Sequence, residues 1–352
     1  MTSSGVAQSF SVIFVALLAD FGMSRAELSG IFSLFIFVFF SSGILIGPLL
    51  DRTSPRIVIP VGAVLTGLGL FACSRITSPR QLYIFYGLMT SVGSCCFAWL
   101  PNSVVISNWF VRRRGMAVGL MMCGSGMGIV IFIPLTQLII DWSGWRNAFL
   151  AIACITILLV GPLNAVFQRA RPEEKGLAPD GEDPELIESS KDNTPKIDKG
   201  LHFWTLSDAI RHRSFWMICC ALFCNPFATF TIVLHQMAFV VETGFEPMHA
   251  ASAFGFIGVF AMVGRFVGGA LSDRVGREKA YSIFMGSFAL AVLFLFFLSP
   301  QHSVLFAIYV ILMGLGMGVG GAMFPPMMAD LFPGPSLGRI MGVSSIFGGL
   351  GA

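Results

Sequence analysis

Apolar segments of about twenty residues follow one another along almost the whole chain, and nothing else constrains its fold as strongly. They cover residues 5–20, 28–50, 57–74, 82–108, 115–140, 147–167, 215–241, 250–271, 280–298, 303–329 and 338–352. A hydrocarbon core ~30 Å thick is crossed by roughly 20 such residues in a helix, so most of the eleven read as membrane spans. Composition agrees, with 55% hydrophobic and only 12% charged residues. Soluble domains carry about 25% charged residues. The expected class is an all-α, multi-pass protein of the cell membrane. The formal net charge of +3 is too small to point to nucleic acid as a partner. All eight cysteines lie in apolar runs and read as small packing residues. Cys220 and Cys224 share a helix face, but no carboxylate or close histidine joins them, so no metal is expected. No Lys or Arg precedes the first apolar run, which makes it a poor signal peptide.

The connections are short except for residues 168–214. That stretch holds Arg169, Arg171, Glu173, Glu174, Asp180, Glu182, Asp183 and Glu185 with four prolines, the composition of a solvated linker. It divides the chain into an N-terminal bundle, 1–167, and a C-terminal bundle, 215–352. With the linker inside the cell, the inner loops collect 17 Lys and Arg and the outer loops four, Arg25, Arg75, Arg80 and Arg146. The positive-inside bias therefore places the N-terminus and the linker in the cytoplasm.

The two bundles repeat one another. Gly47-x-x-x-Asp51-Arg52 recurs as Gly269-x-x-x-Asp273-Arg274, and Asp20-Phe21-Gly22 matches Glu242-Thr243-Gly244, both at an offset of 222. Gly115, Gly119, Gly126 and Gly128 recur as Gly338, Gly342, Gly349 and Gly351 at 223. Ordered matches at one offset imply halves of like topology. Six spans per half make those halves parallel, related by an axis along the membrane normal. Residue 352 then corresponds to about Ile129, in the middle of the fifth span. The expectation is two six-helix bundles, truncated at both ends, with about 10–11 of 12 spans present.

One charge lies deep in an apolar run. Arg265 stands eight residues before Asp273, roughly 12 Å inside the membrane at ~1.5 Å per residue. An arginine there costs at least ~2.5–3.5 kcal/mol, so either it meets a ligand in a wet cavity or it pairs with a structural partner. No Asp or Glu lies near the middle of any apolar segment to neutralise it. That favours an anionic ligand bringing its own charge, and a planar guanidinium suits a carboxylate better than an ammonium would. Other polar groups at depth are few. Asn225-Pro226 falls near the middle of the seventh span, where proline frees a backbone carbonyl. A kink satisfied by neighbours is the plain alternative. His235, in the same span, is either a proton acceptor or a packing residue. Asn102 and Gln137 are weaker cavity candidates. There is no GxSxG elbow, no P-loop and no HExxH, so no enzyme activity and no cofactor is expected.

The loop after the second span of each half, Gly-x-x-x-Asp-Arg-x-Gly-Arg, resembles the signature of the major facilitator superfamily. The second copy, Gly269 to Arg277, fits fully. The first departs, with Ser54 and Pro55 where a glycine and a basic residue are usual. Three further stretches are similar to the monocarboxylate porter and oxalate/formate antiporter group. They are Trp109-Phe110-x-x-Arg113-Arg114-Gly115-Met116-Ala117-x-Gly119, Gly144-Trp145-Arg146-x-x-Phe149, and Arg171-Pro172-Glu173-Glu174-x-Gly176-Leu177-x-Pro179-Asp180-Gly181. The resemblance implies the major facilitator fold and a secondary active transporter of a small organic anion, a mono- or dicarboxylate, working by alternating access. A proton or a counter-transported anion would be the coupled partner. It implies that Arg265 binds the carboxylate and that Gln8 stands where the porters have a first-span lysine. Ala261 replaces an aspartate usual four residues before the arginine, which departs from proton coupling of that type. It further implies a gating set of Gly47, Asp51, Arg52, Gly269, Asp273, Arg274 and Arg277. In it Asp51 would face the start of span eleven near Gly338, and Asp273 the start of span five near Gly115. The rival class is a membrane sensor or accessory protein that keeps the fold and moves nothing.

Overall fold

The computed structural model describes residues 1–181, 204–301 and 303–352. The middle of the linker, 182–203, including Glu182, Asp183 and Glu185, lies outside the described residues. The described chain is helical and contains no strand. Eleven long helices occupy the eleven apolar segments. These are α1 (Thr2–Phe21), α2 (Ala26–Arg52), α3 (Pro55–Ser74), α4 (Arg80–Trp109), α5 (Arg114–Ser143), α6 (Trp145–Phe167), α7 (Arg213–Glu242), α8 (Pro247–Val275), α9 (Arg277–Leu295), α10 (Val304–Leu331) and α11 (Leu337–Gly351). Among the described residues nine contain a stretch long and apolar enough to cross a membrane; α1 and α11 fall outside that set.

Local chemistry sets the boundaries. Gly22 stops α1 in the left-handed region at φ 60°, and Ser24 with Glu27 forms a reciprocal capping box that starts α2. Gly276 turns the chain between α8 and α9 at φ 95°, a conformation that favours glycine. The first copy of the loop makes the same turn by other means. Ser54 is extended and accepts from the Arg56 N–H at 3.3 Å, and Pro55 opens α3 at its first position. The Ser-Pro departure in the sequence is thus an N-cap substituting for a glycine turn.

The helices pack as two groups. In the first, α1 lies along α5, and α3 packs on α4 and α6. Phe10 and Phe35 stack on the buried Tyr86 with ring centroids 4.3 and 4.8 Å away. In the second, α8 and α9 pack on α10, and α7 on α11. Two seams join the groups, α5 against α8 and α2 against α11. Both are lined by the repeated glycines. Gly115 meets Gly269, and Gly47 meets Gly338, close enough that a Cβ on either would strike the opposite backbone. Such small residues let transmembrane backbones approach. On α8 the close approach runs as far as Met262, which packs against Gly126; beyond it a Cβ on Gly258 or Gly255 would meet nothing within 4 Å among the described residues. Asp51 and Asp273 lie at one end of the bundle, with loop 110–113, residues 168–181 and loop 332–336.

Glycine at the seam is therefore a packing requirement. A Cβ at Gly342 would collide with the Gly43 carbonyl, whereas one at Gly286 meets nothing within 4 Å. Gly342→Ala is expected to destabilise the protein by about 1–3 kcal/mol. Gly286→Ala should be neutral or stabilising by helix propensity. Thermal melting of both variants in detergent checks the difference.

Candidate functional site

Arg265 lies on α8 at the α5–α8 seam, partly buried. Its Nη1 donates to the carbonyl of Met122 on α5 at 3.1 Å. One residue on, the Cys123 thiol donates back to the Met262 carbonyl at 3.4 Å. Gly119 lies against the Arg265 carbonyl itself, so the seam is tight beneath the guanidinium. Among the described residues no carboxylate pairs with Arg265. The cation thus carries a single carbonyl partner and keeps unused donors, since a guanidinium has five N–H groups.

The other polar candidates have partners of their own. Helix α7 runs unbroken through Pro226. Asn225 donates to the Met285 sulfur on α9 at 3.3 Å and lies against Gly320 of α10. It is engaged inside the second group, with partners different from those of Arg265. Asn102 donates to the carbonyls of Phe97 and Ala98 at 3.1 and 2.6 Å, where the helical bonding of α4 is interrupted. Gln137 donates to Asp141 at 2.7 Å, one turn along α5. Gln8 and His235 are exposed. Ala261 is buried against Gly314 and Gly318 of α10. Sequence reading passed over Gln236, whose Oε1 accepts from the Tyr309 hydroxyl at 2.6 Å in the buried core of the second group. Among the described residues no cluster of His, Cys, Asp and Glu could hold a metal.

The signature aspartates contact the helix starts that the resemblance implies. Asp51 accepts from the Gly338 and Arg339 N–H groups at 2.9 and 3.0 Å, at the start of α11. Asp273 accepts from the Gly115 and Met116 N–H groups, both at 2.8 Å, at the start of α5. Each carboxylate sits on the positive end of a helix in the opposite group. The second seam is reinforced. Arg277 bonds Asp273 and also donates to Asp330 at 2.9 Å, and Asp330 pairs again with Arg114 across the seam. Beside Asp51 the nearest such group is the Arg339 Nε at 3.7 Å. Arg52 and Arg274 are exposed. Asp330 was not singled out from sequence, although the repeat offset pairs it with Asn108, at the matching end of α4.

The motif at the head of the linker is a strap on this same end. Asn108 and Trp109 donate to the carbonyls of Ala170 and Arg169 at 3.1 and 3.0 Å. Glu174 accepts from the Ala170 N–H at 3.1 Å, and Gly176 turns at φ 68°. Asp180, itself at φ 62°, accepts from the Val111 and Arg112 N–H groups at 3.1 and 2.9 Å. Those amides lie just before the start of α5, which holds Asp273. The strap therefore fixes the loop that presents Gly115 and Met116. Asp180→Gly keeps the backbone conformation and removes the acceptor. It should cost about 1 kcal/mol and speed hydrogen exchange at Val111 and Arg112, followed by mass spectrometry.

Comparison with known proteins agrees with this architecture. The family model described as Major Facilitator Superfamily matches residues 1–352. Monocarboxylate transporter 13 of Bos taurus is 30% identical over 271 residues, 77% of this chain, and the chain spans 58% of that relative's length. The Rattus norvegicus protein of the same name is 26% identical over 99% of this chain and 74% of its own length. Monocarboxylate transporter 2 of Homo sapiens is 26% identical over 96% and 71%. A crystal structure of a double-tryptophan XylE mutant superposes with a TM-score of 0.73 at 14% identity, covering 99% of this chain and 84% of that one. Multi-pass helical architecture, paired seams and a full-length family match lead to one assignment: the chain belongs to the Major Facilitator Superfamily, a family of secondary transporters and not of enzymes.

Proposed function

We propose that the protein moves a small organic anion, a mono- or dicarboxylate, by alternating access between two bundles, 1–167 and 215–352, joined by the linker 168–214. The observation that carries this reading is Arg265, a partly buried cation at the seam with one carbonyl partner and, among the described residues, no acid paired with it. A carboxylate entering from the end opposite the two aspartates would complete its fork with a bidentate pair. The names of the relatives point the same way. An anion moved alone works against or with the membrane potential by about 2.3 kcal/mol per charge per 100 mV. Coupling to a proton or exchange for a second anion removes that dependence. His235, exposed on α7, is the proton candidate. Gln8, exposed on α1, is the further candidate for the cavity wall, whereas Asn102, Asn225 and Gln137 are engaged by partners of their own.

In the same reading Gly47, Asp51, Arg52, Gly269, Asp273, Arg274 and Arg277 form the gate. The linker end, cytoplasmic by the distribution of Lys and Arg, is shut when both aspartates hold the opposite helix starts. Opening it breaks two carboxylate caps, each bond to a charged group worth about 1.5–3 kcal/mol. Asp273→Ala should shift the population toward opening at that end. Faster labelling of single cysteines placed in loop 110–113 would register it, and unchanged labelling would count against the gate.

Arg265→Lys keeps the charge and loses the fork. Uptake of radiolabelled carboxylate by the protein in liposomes should fall at least about tenfold, or ~1.4 kcal/mol. Arg265→Gln should abolish uptake while the protein remains folded. Normal uptake in Arg265→Gln would remove the carboxylate assignment. Counterflow by the parent protein separates a transporter from a sensor of the same fold.

A further inference from the structure

The outer rim of the α5–α8 seam carries a hollow of about 420 Å³ lined by Arg112, Arg113, Met116, Ala270, Asp273 and Arg274. The exposed Arg113 and Arg274 face it, and the Asp273 carboxylate in its lining is already held by the Gly115 and Met116 N–H groups and by Arg277. The hollow is therefore electropositive. It is also shared between the two groups of helices, since Arg112 and Arg113 precede α5 while Arg274 ends α8. Its floor is apolar, made by Met116 and Ala270. The same two helix faces continue into the membrane without a polar break. One turn from Met116 stands Leu120, 62% exposed, and one turn from Ala270 stand Phe266 and Val267, 43% and 45% exposed. A cationic rim opening onto an apolar groove at membrane depth matches the shape and polarity of a phospholipid.

We propose that this hollow binds an anionic phospholipid, its phosphate bridging Arg113 and Arg274 and its acyl chain lying in the groove between α5 and α8. Guanidinium forks suit phosphate oxygens. Because the two arginines belong to different groups, the bound headgroup ties α5 to α8 beside the Asp273 cap and favours the closed arrangement of this end. A soluble peptide or free anion gains nothing from Leu120, Phe266 and Val267, which is why the lipid is the occupant.

The test uses the whole chain in nanodiscs of phosphatidylcholine into which phosphatidylglycerol is titrated. Retained lipid is counted by native mass spectrometry and stability is followed by thermal melting. Phosphatidylglycerol should be retained over phosphatidylcholine and should raise the melting temperature. R113A/R274A should weaken its retention about tenfold. R211A/R213A removes two charges from exposed arginines at the same end and should leave retention unchanged. Arg113→Gln alone, a change at an exposed side chain, should give a partial loss and serves if the double variant does not fold. Equal loss in both double variants, or no preference for phosphatidylglycerol in the parent protein, would overturn the site. Inorganic phosphate that stabilises phosphatidylcholine discs as well as phosphatidylglycerol does would overturn the lipid assignment.

Discussion

Each seam turns on a carboxylate that is badly placed on its own helix. Asp51 and Asp273 stand at the C-terminal ends of α2 and α8, where the helix dipole disfavours negative charge. Each is accommodated by the N-terminal amides of a helix in the other group, α11 and α5 respectively. Helix starts carry unsatisfied N–H groups that a membrane boundary leaves in need of acceptors. The exchange therefore satisfies both sides at once and ties the two groups together. The glycines follow from it. A backbone amide reaches the carboxylate only if the helices approach closely, and Gly47 with Gly338 and Gly269 with Gly115 permit that approach.

The two copies solve the same geometric problem with different chemistry. The second uses Gly276 at positive φ and adds Arg277, Asp330 and Arg114 around its aspartate. The first uses Ser54 and Pro55, has Asn108 where the second has Asp330, and among the described residues has Arg339 as the one cation paired with Asp51. Asn108 is instead engaged with the linker strap through Ala170. The α5–α8 seam is thus ionic and the α2–α11 seam largely a matter of backbone amides. Exposed ionic contacts weaken with salt, whereas carboxylate bonds to backbone amides are screened less when buried.

Much of this was legible in the sequence because it depends on periodic or repeated features. Span positions follow from hydropathy alone, and the offset of 222 between Asp51 and Asp273 carries the parallel relation of the halves. The aspartate contacts with α11 and α5 came from the resemblance added to that repeat. The partners of Asn225, Asp180 and Gln236 were not legible, because each is set by contact between segments far apart in sequence. Nothing in the Asn225-Pro226 pair signals Met285 on α9, and α7 absorbs the proline without breaking. The partner of Gln137 is readable from spacing. Asp141 stands four residues on, the spacing at which helical side chains meet. Asp330 closes an apolar segment and has a repeat partner in Asn108, so the offset contained that signal as well.

Arg265 and Asp273 ride on one uninterrupted helix, eight residues apart. Both touch α5, one through the Met122 carbonyl and the other through the amides of Gly115 and Met116. A rigid rod with two attachments to the same neighbour cannot shift at one without straining the other. An anion bound at the arginine, as proposed above, would therefore be thermodynamically linked to the state of the carboxylate cap. Whatever free energy a bound anion contributes to holding or releasing the cap, the cap returns in equal measure as a change in affinity for that anion.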